Sequence, residues 1–160
     1  MRQTELIDSL RRCVQRQLNG EVAALFSGGL DSAVLAHLAR SEAVLHLYTV
    51  GYAESHDLNA GRKGAEELGA TWNPLTLDDS MVRQGVAFLR SRMDLTDPVT
   101  ISFELPLFLV CSSVTQPTLL SGQGADELFA GYSRYSRMDQ EERTRAMARD
   151  QAALLAEGLP

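Results

Sequence analysis

The chain has 160 residues, a formal charge of -6, 44% hydrophobic and 22% charged side chains. That length and balance fit one ordinary globular domain and exclude wholesale disorder. The acidic excess excludes nucleic-acid binding through a diffuse basic surface, so any polyanion must be held locally, by backbone amides, helix ends and metal ions.

An amphipathic helix opens the chain, with Leu6, Ile7, Leu10, Val14 and Leu18 at helical spacing, Thr4 as its N-cap and Asn19-Gly20 as its end. Val22 to Phe26 reads as a buried strand, Ser27 to Ser32 as a turn, and Ala33 to Ala39 as a helix covered on several sides. A second strand is expected over Ala43 to Val50. The next helix is expected around residues 57–70, capped by Asp57 and stopped at Gly69. A third strand follows over Asn73 to Leu77, and Asp78 or Asp79 caps a helix carrying Val82, Val86 and Leu89. Asp97-Pro98 breaks the chain ahead of "VTISFELPLFLVCSSV", a buried helix in which Pro106 makes a kink or occupies the first turn. Phe108 and Leu109 read as either core or interface. Thr118 to Leu120 is the fourth strand, and Asp139 to Glu157 the last helix. Asp139–Arg143 and Glu141–Arg145 stand at i,i+4 in that helix, an apolar patch runs from Ala152 to Ala156, and Gly158 and Pro160 close the chain. Strands alternating with helices predict a single α/β domain over 1–160, an open parallel sheet with helices on both faces.

Other chemistries find little support. Cys13 and Cys111 form no CxxC, Cys13 reads as a packing residue, and His37, His46 and His56 show no metal-ligand spacing. The N-terminus has no apolar signal core and no run is long enough to span a bilayer, so a cytoplasmic protein without a membrane partner is expected.

Two stretches carry chemistry. In "LFSGGLDSAV", Ser27-Gly28-Gly29 follows a strand and precedes a helix, where glycine backbone can approach an anion and the helix dipole adds attraction. Asp31 beside an anion site calls for a cation between them, and Mg²⁺ suits that role. The spacing matches neither a Walker A loop nor a GxGxxG fingerprint, and alone it also reads as a glycine turn capped by Asp. "LLSGQGADELFAGY" repeats the logic: a strand, Ser121-Gly122, then Gly124, Asp126 and Glu127. If the two strands are neighbours, the two Ser-Gly turns flank one crevice.

"SGGLDS" resembles the PP-loop of the N-type ATP pyrophosphatases, which have the adenine nucleotide alpha hydrolase-like (HUP) fold. "YTVGY" followed by Asp57, "DPVTISFELPLFLV" and "SGQGADELFAGYSRY" are similar to the synthetase domain of the asparagine synthetase B family. The resemblance implies attack of a carboxylate such as aspartate on the α-phosphate of ATP. An acyl-adenylate and pyrophosphate form, and ammonia then displaces AMP to make an amide. It further implies that Ser27, Gly28, Gly29, Asp31 and Ser32 cradle pyrophosphate, with Asp31 and Asp126 on Mg²⁺. Phe26, Val50, Ser121 and Gly122 fall where the family holds adenosine. The implied partners are ATP, a small carboxylate, and ammonia or a separate glutaminase subunit, with self-association left open. A tRNA-thiolating PP-loop reaction is disfavoured by the absence of paired cysteines and of a basic surface.

Three departures stand out. No nucleophilic cysteine of a glutaminase module precedes the loop, since Arg2 follows Met1. Gln123 occupies a slot where the family has a glutamate tied to acyl-adenylate formation, and an amide cannot accept that proton. Lys63, the only lysine, precedes the second motif, so no lysine stands at the family's usual position after it. Arg134 and Arg137 are the nearby cations that could meet pyrophosphate charge instead, although solvated surface arginines are the plainer reading of both.

Overall fold

A computed structural model describes residues 3–18 and 20–156. The chain divides into two compact units, Met1–Ser121 and Gly122–Pro160. Asn19, Glu157, Gly158 and Pro160, and the side chains of the apolar patch from residue 154 onward, lie outside the described residues.

The first unit is built on a parallel sheet of β1 (Glu21–Leu25), β2 (Val44–Gly51), β3 (Thr71–Thr76) and β4 (Leu119–Leu120), ordered β3-β2-β1-β4. Five helices accompany it: α1 (Gln3–Gln17), α2 (Leu30–Ala39), α3 (His56–Leu68), α4 (Asp79–Arg92) and α5 (Pro98–Cys111). Side chains alternate along each strand, so each strand faces two layers. Val22, Ala24, Leu45 and Leu47 pack with Phe26, Val14 of α1, Ala36 and Leu38 of α2 and Ala65 of α3. Ala23, Leu25, Tyr48, Val50 and Leu75 face the opposite way, onto Val110 of α5. Helices therefore cover both faces, as expected for two-sided apolar strands. Burying side chains such as Val22, Phe26 and Leu47 contributes about 1.5–3 kcal/mol each. Two polar side chains in these layers are hydrogen-bonded, Trp72 Nε1 donating to Thr49 Oγ1 at 3.2 Å and Tyr48 Oη to Gln116 Oε1 at 3.0 Å, whereas His46 Nε2 and Asn73 Nδ2 are buried without a hydrogen-bond partner among the described residues. Pro74, which has no N–H to offer a ladder, is tolerated because β3 is an edge strand.

Several local expectations need correction. Helix α1 begins at Gln3, so Thr4 lies inside it, and Cys13 is exposed rather than packed. Ser55, not Asp57, caps α3, because its hydroxyl accepts from the Leu58 N–H at 3.3 Å. Asp78 caps α4, accepting from the N–H groups of Ser80 and Met81 at 2.7 and 2.8 Å. Asp97 caps α5 and Pro98 takes its first turn, leaving Pro106 in the helix interior. That helix is only half buried: Ile101, Leu109 and Val110 face the core while Val99 and Phe103 are exposed. Leu109 is thus core. Among the described residues no helix is long and apolar enough to cross a membrane.

The second unit contains α6 (Ala125–Phe129), a 3₁₀ turn (Ser133–Arg137) and α7 (Gln140–Ala156). Asp139 accepts from the Glu142 N–H at 2.8 Å while Glu142 reaches back to the Asp139 N–H at 3.2 Å, a reciprocal cap of α7. This commitment takes Asp139 away from the expected pair with Arg143, whereas Glu141–Arg145 forms at 3.2 Å. Tyr135 is buried, and its hydroxyl donates to Asp150 of α7. Arg134 pairs with the same carboxylate at 2.6 Å and lies 4.2 Å above the Tyr132 ring, so it is a structural cation. Arg137 stays exposed.

Candidate functional site

The carboxyl ends of β1 and β4 are adjacent, with Ala24 opposite Leu120. Ser27 and Ser121 therefore leave the sheet from neighbouring strands at the same end, where parallel sheets bind ligands. Val50 stands near the matching end of β2. Phe26 hydrogen-bonds through its N–H to the Tyr48 carbonyl at 2.8 Å and buries its ring in the α1–α3 layer, whereas Val50 packs on the α5 layer. The two apolar residues expected around adenosine thus share one end of the sheet but point to opposite faces.

Gly28 has φ +76°, and a Cβ there would lie 2.7 Å from Cβ of Ala60 on α3. Left-handed backbone and close helix packing both demand glycine at this position. The N-cap of α2 is Gly29, with no side chain capping it, so Asp31 sits in the first helical turn and is not a cap. That removes the plain reading of an Asp-capped turn. Helices α3, α4 and α5 all have a capping hydroxyl or carboxylate. At α2, first-turn N–H groups are left without a side-chain acceptor, which is the arrangement that receives anions. Ser27 Oγ accepts weakly from the Gly29 N–H at 3.4 Å and is exposed; Ser32 Oγ donates to the Gly29 carbonyl at 3.0 Å and is buried. Ser27 is the freer hydroxyl. Asp31 is exposed and has no ion pair among the described residues.

In the second unit, Gly124 (φ +85°) leads into α6, which carries Asp126 and Glu127 in its first turn. A Cβ at Gly131 would overlap Oδ1 of Asp126, so this glycine lets the carboxylate lie against the backbone. Tyr132 Oη donates to Glu127 Oε1 at 2.6 Å. That bond, helped by partial burial, pushes the Tyr132 hydroxyl up to about 12. Gln123 is exposed.

Among the described residues no three His, Cys, Asp or Glu side chains cluster to cage a metal. Magnesium in phosphate sites needs only one or two carboxylates beside the phosphates themselves, and the unpaired Asp31 fits that mode.

A cavity of about 410 Å³ opens between α2 and α3 beside the loop, with Phe26, Gly28, Ala60 and Gly64 in its lining and His37, Lys63 and Glu67 around it. The residue spacing 60, 63, 67 on one helix was the signal for this face, and it is visible only once Ala60 is known to touch the loop.

The structure resembles the NH3-dependent NAD synthetase of Campylobacter jejuni (TM-score 0.54, 19% identity, 83% of this chain and 62% of that one). It also resembles an NMN synthetase of Francisella tularensis (TM-score 0.56, 21% identity, 82% and 59%). These likenesses establish the fold, an open parallel sheet with helices on both faces. In sequence, the chain is 30% identical over 138 residues to a putative glutamine-hydrolyzing asparagine synthetase of Methanocaldococcus jannaschii, covering 83% of this chain and 26% of that protein. It is 32% identical over 143 residues to asparagine synthetase 3 of Arabidopsis thaliana, covering 78% and 24%. The chain thus spans about a quarter of the length of these relatives. The asparagine synthase family model matches residues 5–159, and the chain belongs to that family.

Proposed function

We propose that this chain binds ATP with magnesium at the Ser27–Ser32 loop and activates a carboxylate, aspartate first among candidates, for amide formation. A carboxylate oxygen attacks the α-phosphorus, the bond to the bridging oxygen breaks, and pyrophosphate leaves. Ammonia then attacks the acyl carbon, AMP departs, and the surplus proton passes to solvent. The observation that carries this reading is the uncapped start of α2 after a positive-φ glycine, at the end of a central strand beside β4. Its first-turn N–H groups suit a phosphate, and catalysis there is mostly positioning and charge stabilisation.

In this reading Ser27, Gly28, Gly29 and Ser32 hold pyrophosphate, Phe26, Val50, Ser121 and Gly122 border adenosine, and Asp31 and Asp126 ligate magnesium. The metal, when bound, offsets phosphate charge. Gly131 keeps Asp126 against the backbone of its turn. The family match runs through both compact units, which supports treating 1–160 as one functional domain. Nitrogen comes as ammonia, free or from a separate glutaminase subunit.

The test is release of AMP and pyrophosphate from ATP, Mg²⁺, aspartate and ammonium. A full screen of small carboxylates without AMP above background would refute the enzymatic reading. Gln123 favours a second reading, a nucleotide-binding subunit without turnover, because its amide cannot take up a proton. Tight ATP binding without turnover, unchanged in Gln123→Glu, supports the second reading; AMP formation appearing in that variant supports the first.

A further inference from the structure

Helix α3 carries two cation–carboxylate pairs at i,i+4 spacing, and they behave differently. Arg62 closes on Glu66 at 3.2 Å, on the outer side. Lys63 and Glu67 are exposed, both line the cavity beside the loop, and neither has an ion-pair partner among the described residues.

The position of Lys63 relative to the loop follows from helix geometry. Ala60 is the α3 residue against Gly28, since a Cβ on that glycine would meet it at 2.7 Å. Lys63 is three residues on, the next neighbour along the same face, whereas Glu67 lies a further turn away, about 10 Å along the axis from Ala60. Side chains on a helix lean toward its N-terminus. The Lys63 stem therefore leans back toward Ala60 and Gly28, and stands between the loop and Glu67. His37, on α2, lines the same cavity and is the other group able to carry positive charge there. The loop itself supplies only neutral donors and the negative Asp31, so the lysine is the permanent cation of this cavity.

We infer that Lys63 binds the β- and γ-phosphates of the nucleotide, and hence the departing pyrophosphate, through the cavity between α2 and α3. The inference rests on the loop being a nucleotide site. Its ammonium meets a phosphate oxygen as a charge-assisted contact, and an arginine at the same place retains most of the charge interaction.

The experiment is calorimetric titration of the full chain, and of Lys63→Met and Lys63→Arg, with ATP, pyrophosphate and AMP, each with Mg²⁺. Lys63→Met is expected to weaken ATP and pyrophosphate by about tenfold or more while leaving AMP within about twofold. Lys63→Arg is expected to stay near the unmodified chain. Because Lys63 is exposed, thermal unfolding of Lys63→Met should match that of the parent, and a match rules out misfolding as the cause. Unchanged ATP and pyrophosphate affinity in Lys63→Met overturns the assignment while the nucleotide site stands. An equal loss for AMP overturns the assignment to the outer phosphates. If the unmodified chain binds neither ATP nor pyrophosphate, the nucleotide reading falls and this inference falls with it.

Discussion

Gly28 and Gly29 are adjacent, yet the structure assigns them different constraints, and exchanging each for alanine separates folding from binding. At Gly28 the backbone is left-handed (φ +76°), which costs an L-residue roughly 1–2 kcal/mol. The new Cβ would stand 2.7 Å from Ala60 Cβ, with Ala60 backbone atoms at 3.4 and 3.5 Å. Carbon atoms prefer about 3.5–4.0 Å, so α3 must move, because no rotamer of alanine relieves the overlap. Overpacking of this kind costs about 1–3 kcal/mol, giving roughly 2–5 kcal/mol together. With a urea dependence of about 2 kcal/mol per molar, the Gly28→Ala midpoint should fall by about 1–2.5 M. Gly29 has φ -74° and ψ 165°, a conformation open to alanine, and its Cβ would meet only Ser27 Oγ, at 3.3 Å. Gly29→Ala should therefore keep its midpoint, with a stability change under about 1 kcal/mol, while losing about tenfold or more in ATP affinity. Urea titration followed by circular dichroism, with calorimetry for ATP, reads both quantities. A Gly28→Ala midpoint equal to that of the parent would refute the packing argument, and full ATP affinity in Gly29→Ala would refute the close approach of phosphate to the loop.

Three further expectations concern other parts of the chain. Gly131→Ala should displace the Asp126 carboxylate and reduce Mg²⁺-dependent ATP binding about tenfold, with circular dichroism unchanged; retained binding would remove the positioning role of this glycine. Asp78→Ala removes the acceptor of two α4 N–H groups and should cost about 1–2 kcal/mol in urea titration, with no effect on ATP affinity. Asp150 is held below the usual carboxylate range, first by the Tyr135 hydroxyl and then by Arg134. A carboxylate depressed in the folded state contributes stability above its unfolded value, about 3.9, and loses it as pH falls through its folded value. Hydrogen exchange should therefore show the contact between α7 and the 3₁₀ turn loosening in acid below about pH 4, and Asp150→Asn should abolish that dependence.

The sheet was legible because its signals are local. Apolar runs near Val22, Leu45 and Leu120 are short and bounded by turn residues, which favours buried strands over helices, and their boundaries slipped by a residue or two where the chain leaves the ladder. Caps were less legible because neighbouring polar residues compete for the same role. Ser55 and Asp57 are both good caps, and the backbone entry angle selects Ser55. In α5, the sequence pattern misleads for another reason: Val99 and Phe103 are apolar without being buried, since periodicity does not say which faces of an apolar helix find neighbours. At the site, "SGGLDS" revealed the loop but not its surroundings. The contact of Ala60 with Gly28 is a tertiary fact, and without it Lys63 is only a surface lysine.

The capping pattern ties stability to the proposed chemistry. Glycine at an N-cap is only a few tenths of a kcal/mol poorer than Ser, Asn or Asp, so leaving α2 without a capping side chain has a small cost. The same omission leaves first-turn N–H groups available to a phosphate, where a capping carboxylate would both occupy them and repel the ligand. Asp31 escapes that conflict by standing in the first helical turn, two residues after the N-cap, exposed and unpaired. Its charge still favours the helix N-terminus, so the free protein retains some of the electrostatic stabilisation that a bound anion would supply. With a magnesium–phosphate ligand present, the same carboxylate is placed to act on the cation instead of competing for the amides. One acidic residue can thus serve the unliganded helix and the liganded site without a change of fold.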